Sequence, residues 1–333
     1  MAVLVIGEAP TAAMEAAGLR IRPCRPGADD PLPATLTGID ALILSPTATP
    51  AALPLVGPAL AAEVPVLALG EGARLLAEAA GSGGTGCGAT DPLLGGAAAP
   101  HGFRVGASAW GLPVPDEADV EVLRRFAELV AGRAETTATR TFFTPRAAAW
   151  EERFAYQTPA YEAAVARMRL RPGQSALDLG CGSGRALPAL RALVGAAGTV
   201  IGVDLTHAML TAAARAGRGG PDGGPAGGLL LADCARLPLP AGAVHGIFAA
   251  GLLDHLPHPG TALREWARVT APGGELLLFH PSGRAERAAR HSRAVSPDDP
   301  LAEPNLRPAL EAAGWHLATY EDAATHFLAR AER

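Results

Sequence analysis

The sequence contains no lysine, so all 28 of its basic residues are arginine. A chain without lysine has no side-chain amine to form a Schiff base, and no lysine to act as a general base. Its formal net charge is −5, which gives no excess of positive charge of the kind that indicates nucleic-acid binding. We therefore expect no nucleic-acid partner.

Cysteine is also scarce, and the four cysteines form no C-x-x-C pair. This spacing argues against a zinc site or a redox pair, so we expect no metal, and free thiols indicate a reducing compartment. Every long apolar run is interrupted by glycine, proline or charge, and the opening run at residues 2–6 is too short for a signal peptide. These features predict a cytoplasmic protein without a membrane partner.

Aromatic residues make up only 5% of the chain, while apolar residues reach 49%. The core is therefore built mainly from alanine, valine and leucine, and the composition is too apolar for disorder. A length of 333 residues indicates about two domains.

The most informative stretch is ALDLGCGSGR, residues 176–185. A short apolar run precedes Gly180, Gly182 and Gly184, and a helical pattern follows, which predicts a strand, a tight turn and a helix. Glycine tolerates positive φ and allows a ligand to approach the backbone closely. Arg185 stands where a dinucleotide fingerprint requires its last glycine, so that fingerprint fails. Asp178 lies at the carboxyl end of the strand, where open α/β sheets bind ligands.

This D-x-G-x-G-x-G pattern resembles the first motif of class I S-adenosylmethionine-dependent methyltransferases. Further features follow in the family's order: strands with Asp204 and Asp233 at their ends, a fourth strand at residues 244–250, a Pro-Gly-Gly turn with a fifth strand, and a closing hairpin. The resemblance implies a Rossmann-like, seven-stranded α/β domain over residues 146–333 that binds S-adenosylmethionine.

The resemblance also implies roles for individual residues. Asp178 would lie near the ammonium group of the cofactor, directly or through water, and the three glycines would line its methionine part. Asp204 would accept both ribose hydroxyls, although a strand-end aspartate also serves as a helix N-cap. Met209 would lie against adenine, whose edge would meet Asp233 and the N–H of Cys234 or Ala235. The predicted cofactor-binding set is Asp178, Gly180, Gly182, Gly184, Asp204, Leu205, Met209, Asp233, Cys234 and Ala250.

Transfer of an activated methyl group depends mainly on alignment, and a general base is needed only for a protonated acceptor. Asp254 and His255, after the fourth strand, are the first candidates for that base, and His280, at the end of the fifth, is the second. Asp254 and His255 have an alternative role, in which they cap a short helix or contact the methionine part of the cofactor.

Two helical patterns before the glycine-rich strand carry Phe154, Tyr156 and Tyr161. Such a helix pair commonly caps a core. In the family that this chain resembles, the segment before the glycine-rich strand often covers the active site. We therefore predict these three aromatics as substrate residues for an apolar acceptor.

Residues 1–132 alternate strands with helices, which predicts parallel βαβ units. The segment resembles the class I glutamine amidotransferase domain, but Gly70 occupies the nucleophile's position in the elbow and the later His-Pro-Glu is missing. We predict an inert, flavodoxin-like α/β domain that packs on its neighbour, forms a dimer interface or shapes a substrate wall. Residues 133–145 show no helical period and are predicted to be a linker.

The sequence therefore predicts a methyltransferase that acts on a small-molecule acceptor, in a chain that forms either a monomer or a homodimer. One alternative is a non-catalytic regulatory or scaffold protein that binds S-adenosylmethionine or S-adenosylhomocysteine. A nicotinamide oxidoreductase is disfavoured by Arg185.

Overall fold

A computed structural model describes residues 2–8, 11–27, 30–81, 84–87, 91, 93–94, 101–113, 120–219, 227–290 and 292–333. The chain divides into two compact units, Met1–Thr137 and Ala138–Arg333. None of the helices in the described ranges is long and apolar enough to cross a membrane.

The N-terminal unit is built on a sheet with the order β2-β1-β3-β4-β7-β6-β5. The five strands from β2 to β7 are parallel, and β6 and β5 continue the sheet in antiparallel fashion. β1, β3, β4 and β7 are buried at every residue, as expected for parallel strands covered on both faces. Its elements are β1 (Val3–Ile6), α1 (Thr11–Ala16), β2 (Ile21–Cys24), β3 (Ala41–Leu44), α2 (Leu53–Ala61), β4 (Val66–Leu69), α3 (Glu71–Ala79), β5 (Thr85–Gly86), β6 (Phe103–Val105), β7 (Ala109–Leu112) and the first part of α4 (Val120–Phe143).

The turn between β4 and α3 is sharp. Gly70 has φ 52° and ψ −116°, and a Cβ on Gly72 would lie 2.4 Å from the carbonyl oxygen of Leu44. The backbone therefore requires glycine at both positions, the first for its dihedral angles and the second for the close approach of β3.

The predicted linker at 133–145 is helical instead. α4 runs without interruption to Phe143, and the boundary between the two units falls inside it. Alanine, arginine and glutamate favour helix, each threonine costs only a few tenths of a kcal/mol, and no proline occurs before Pro145. The lack of an apolar period in this segment therefore did not indicate a lack of helix.

The C-terminal unit contains a second sheet, with the order β10-β9-β8-β11-β12-β14-β13. All of its strands are parallel except β14, which is antiparallel to both neighbours. Its elements are α5 (Ala147–Phe154), α6 (Thr158–Val165), β8 (Ser175–Leu179), α7 (Leu187–Val194), β9 (Thr199–Asp204), α8 (His207–Arg215), β10 (Gly227–Leu231), β11 (Val244–Ala250), α9 (Pro259–Val269), β12 (Thr270–His280), α10 (Arg284–Arg290), α11 (Glu303–Ala312), β13 (His316–Ala323) and β14 (His326–Glu332).

The sheet changes direction between β8 and β11. From β8 the chain moves outward through β9 and β10, and it then returns to place β11 on the other side of β8. Such a switch point opens a crevice at the carboxyl ends of the strands, where ligands bind in this architecture. The expected Pro-Gly-Gly turn lies inside β12, where the pairing with β11 shifts register between Val244 and Gly246.

Candidate active site

Three acidic residues lie at the same edge of the C-terminal sheet. Asp178 is the penultimate residue of β8, Asp204 ends β9, and Asp233 follows β10 by two residues. These strands are neighbours, with Asp178 opposite Gly202 and Leu231 opposite Asp204. Adjacent strands are about 4.8 Å apart, so the three carboxylates surround one end of the crevice.

The glycine loop after β8 adopts the backbone that only glycine takes readily. Gly180, Gly182 and Gly184 have φ of 64°, 54° and 78°. The carboxylate of Asp204 supports this loop, because its Oδ2 accepts the Gly182 N–H at 2.9 Å while its Oδ1 accepts the Thr206 N–H at 2.7 Å. The loop and the end of β9 are therefore held together by one carboxylate.

Burial places two carboxyl groups in an unfavourable environment. Asp178 is 3% exposed, and burial followed by the charge of Asp204 raises its pKa well above the usual range. Burial also raises the pKa of Asp204, although hydrogen bonds from the Thr206 and Gly182 N–H groups oppose that effect. The edge of the sheet therefore favours a cationic ligand, which would stabilise both acids in their charged form.

The residues predicted to meet adenine differ in whether their groups are free to contact a ligand. Asp233 Oδ1 accepts the N–H of Ala235 at 2.8 Å, so of the two predicted amide donors the N–H of Cys234 is the candidate for a ligand. The Cys234 carbonyl accepts the indole N–H of Trp266 at 3.0 Å, and burial raises the pKa of the Cys234 thiol to about 12. Met209 is only 2% exposed, which leaves little of its side chain to contact an adenine ring.

Leu205 and Ala250, the other predicted cofactor residues, lie after β9 and at the end of β11. The Leu205 carbonyl accepts a hydrogen bond from Arg140 at 3.1 Å. Both residues are half-buried at the carboxyl edge of the sheet.

A charged network that the sequence did not reveal fastens α5 to the glycine loop. Glu151 accepts hydrogen bonds from the Ser183 hydroxyl at 2.8 Å and from both terminal nitrogens of Arg218 at 2.7 and 2.8 Å. Arg185, 5% exposed, lies 3.4 Å from the same carboxylate and donates to the Thr158 hydroxyl at 2.8 Å. The only sequence signal was the presence of Ser183 and Arg185 in a loop of otherwise small residues.

The three predicted substrate aromatics lie in three different environments. Phe154 packs against Trp150 with ring centroids 4.7 Å apart and ring planes tilted by 55°, and Trp150 Nε1 would lie 3.8 Å from a Cβ on Gly182. Tyr156 is 70% exposed. Tyr161 instead packs against Phe248 and Phe279, and burial raises its pKa to about 12.

The three predicted catalytic residues are also in different environments. His255 is exposed, and Asp254 forms an ion pair with Arg287 at 2.5 Å. His280 Nδ1 donates to the Ser282 carbonyl at 3.0 Å, which leaves Nε2 unprotonated in the neutral ring. Burial, followed by the charge of Arg287, lowers the His280 pKa to about 4. His280 therefore presents a neutral imidazole at physiological pH.

His280 lies close to the crevice. A Cβ on Gly251, which follows β11, would be 3.4 Å from Cδ2 of His280, and the next residue, Leu252, would be 3.0 Å from a Cβ on Gly180. The described residues contain no group of three or more histidine, cysteine, aspartate or glutamate side chains arranged to hold a metal ion.

Part of the C-terminal unit is similar to known methyltransferases. Residues 177–278 match the family model described as "Methyltransferase domain". The chain is 40% identical over 111 residues to an uncharacterized 37.1 kDa protein in transposon TN4556 of Streptomyces fradiae, a match covering 33% of this chain and 31% of that protein. It is 33% identical over 126 residues to the ubiquinone/menaquinone biosynthesis C-methyltransferase UbiE of Bordetella avium, covering 38% of this chain and 48% of UbiE. The chain thus spans less than half the length of these relatives.

Among solved structures, a SAM-dependent methyltransferase from Aquifex aeolicus is 26% identical with a TM-score of 0.44, covering 52% of this chain and 88% of that one. The magnesium protoporphyrin IX methyltransferase ChlM from Synechocystis, with bound SAH, is 16% identical with a TM-score of 0.46, covering 60% and 99%.

Proposed function

We propose that this chain, whose C-terminal unit carries an S-adenosylmethionine-dependent methyltransferase domain, transfers a methyl group from S-adenosylmethionine to a small-molecule acceptor. The observation that carries the proposal is the arrangement of Asp178, Asp204 and Asp233 at neighbouring strand ends around a glycine loop with positive φ. A cytoplasmic location and a homodimer remain predictions from the sequence.

The residues at this edge fit the chemistry of that cofactor. Asp178 is buried and Asp204 is half-buried, both have raised pKa values, and the cofactor carries an ammonium and a sulfonium group. Asp178 would bind the ammonium group, and Asp204 would accept the ribose hydroxyls while it continues to support the loop. Asp233 and the N–H of Cys234 would bind the adenine edge. Gly180, Gly182 and Gly184 would line the methionine part, and at Gly182 a Cβ would have only Trp150 Nε1 near it, at 3.8 Å.

The bound cofactor supplies a methyl group that is already activated for displacement. The chain's task is therefore to orient the acceptor in line with the methyl group and to remove a proton when the acceptor carries one. Of the three candidate bases, we assign this role to His280, because its ring is neutral and its Nδ1 is fixed by Ser282. Asp254 is already paired with Arg287, and His255 is exposed.

For the N-terminal unit, we propose an amidotransferase-like domain that has lost its nucleophile. The sharp turn after β4 has the strand–turn–helix form that presents a nucleophile in other enzymes, but Gly70 stands at its apex. The parallel order β2-β1-β3-β4-β7 supports a flavodoxin-like fold. A glutaminase assay on the chain should give no ammonia release above that of a buffer blank, and measurable release would contradict this assignment.

Two measurements test the proposed transfer. Calorimetry with S-adenosylhomocysteine should show saturable binding at one site, and its absence would refute the proposal. Incubation with methyl-labelled cofactor and a small-molecule extract of the source cells should yield a labelled product. Saturable binding without label transfer would instead favour the non-catalytic regulator or scaffold.

A further inference from the structure

Three buried polar atoms without hydrogen-bond partners lie beyond the carboxyl ends of β11 and β12. They are Asp254 Oδ1, Ser282 Oγ and Arg287 Nε, and only two other side-chain atoms in the described residues, Glu135 Oε2 and Glu275 Oε2, share this condition. Buried polar groups are nearly always paired, and each one left unpaired destabilises the fold. Asp254 and Arg287 are bonded to each other, and Ser282 follows the strand next to the one that precedes Asp254. We read the three unpaired atoms as a site that is incomplete without a ligand.

We call Asp254, His280, Ser282 and Arg287 the polar cluster. Arg287, on α10, holds the Asp254 carboxylate through Nη1 at 2.5 Å, and His280 donates to the Ser282 carbonyl at 3.0 Å. The charge of Arg287 lowers the pKa of His280, and the charge of Asp254 raises it. The polar cluster therefore includes the residue to which we assign proton removal.

We propose that the polar cluster is the subsite that binds the acceptor through a hydroxyl group. This inference rests on the proposed methyl transfer for the meaning of "acceptor". The binding site itself depends only on the residues of the cluster.

The hydrogen-bond partner that each unpaired atom lacks indicates the chemical class of the ligand. Asp254 Oδ1 requires a donor, Arg287 Nε requires an acceptor, and the Ser282 hydroxyl serves as either. A hydroxyl group both donates and accepts at one atom, so it satisfies the aspartate and the arginine together. A carboxylate has no proton to give to Asp254, and an ammonium group has no lone pair for Arg287.

Charge leads to the same class of ligand. Asp254 and Arg287 already neutralise each other, so an ionic ligand would leave one buried charge uncompensated. Their side chains remain 20% and 16% exposed, so the ion pair as a whole is not sealed from solvent.

Ligand-observed NMR titration with 4-methylphenol and 4-methylanisole tests the site, since the two probes differ only in whether the oxygen carries a proton or a methyl group. With the S-adenosylhomocysteine-loaded chain, we expect 4-methylphenol to bind at least roughly tenfold more tightly, because hydrogen bonds to charged groups are involved. Equal affinities, no saturable binding of 4-methylphenol, or tighter binding of 4-methylbenzoate would overturn the proposal.

Two variants test whether the polar cluster causes the preference for 4-methylphenol over 4-methylanisole. Ser282→Ala and Arg287→Met should each reduce it to below about threefold, while Arg307→Met, which removes an arginine paired with Glu303 on α11, should leave it unchanged. Ser282→Ala removes a hydroxyl that has no partner, so its melting temperature should equal or exceed that of the wild type. A preference that survives in both folded variants would contradict the assignment.

If the proposed methyl transfer is wrong, the experiments give a different result from the one expected if the hydroxyl site is wrong. If calorimetry detects no S-adenosylhomocysteine binding, methyl transfer is refuted, and the same titrations on the ligand-free chain still report on the polar cluster. In the ligand-free chain, a preference for 4-methylphenol would support a hydroxyl-binding site. The absence of that preference would refute the site.

Discussion

Replacement of Asp204 by alanine should abolish tight binding of S-adenosylhomocysteine. In the proposed complex this carboxylate accepts both ribose hydroxyls. Hydrogen bonds to a charged group contribute about 1.5–3 kcal/mol each, so losing two corresponds to about 3–6 kcal/mol. Since 1.4 kcal/mol is a factor of ten, the dissociation constant should rise by roughly a hundredfold to ten-thousandfold.

The structure adds a second reason for this loss. Asp204 also accepts the N–H of Gly182 at 2.9 Å, so alanine releases the glycine loop from the end of β9. Asp204→Asn separates the two effects, because its single side-chain oxygen still accepts from one of the two backbone N–H groups. We therefore expect asparagine to preserve the melting temperature better than alanine while it still weakens binding by at least about tenfold.

Isothermal titration calorimetry on folded variants measures the effect, with Asp298→Ala as the control because Asp298 is an exposed acid outside the crevice. The control should bind within about twofold of wild type. An Asp204→Ala variant that keeps its fold and binds within about threefold of wild type would refute the ribose assignment, and with it the central argument for the cofactor.

Three further predictions concern the same loop. Burial and the charge of Asp204 raise the pKa of Asp178, so the folded chain holds this proton more tightly than the unfolded chain does, and stability should fall as pH rises above about 4 toward the raised value. Asp178→Asn should remove this slope from thermal melts recorded across pH, and an unchanged slope would contradict the account. Gly182→Ala should lower the unfolding free energy by about 1–2 kcal/mol through backbone strain alone. Gly184→Ala should lower it further, because its Cβ would also meet Leu187 at 2.9 Å, and urea titrations giving the opposite order would count against this geometry. Glu151→Gln should destabilise the chain by about 1 kcal/mol at neutral pH, a figure discounted for the 35% exposure of the carboxylate. Because Arg218 lowers the pKa of Glu151, its stabilisation is present above the unfolded value of 4.5, so the wild-type and Glu151→Gln melts should converge as pH falls below 4.5.

The sequence predicted those parts of the site that depend on local pattern. Apolar runs ending in an acid or a glycine located the carboxyl ends of β8, β9 and β11, because strand period and turn chemistry are properties of a few neighbouring residues. The order of these strands in the sheet followed from the family resemblance and not from composition.

The contacts that join distant segments could not be predicted in the same way. Glu151 and Arg218 are 67 residues apart, and Asp254 and Arg287 are 33 apart, so no periodicity relates them. The environment of Tyr161 shows the same limit, because its ring packs against Phe279 of β12, far along the chain. Tyr156 lies in the short helical turn before α6 and is exposed.

The distribution of unsatisfied groups argues for function at the carboxyl edge of the C-terminal sheet. Asp178 is buried beside the half-buried Asp204, and the pKa of each carboxyl group is raised, while the polar cluster holds donors and acceptors without partners. Each arrangement lowers the free energy of unfolding, and apolar side chains would pack the same spaces at less cost. Stability alone therefore does not account for these residues, whereas a cationic nucleoside at one end of the crevice and a hydroxyl group at the other would satisfy them.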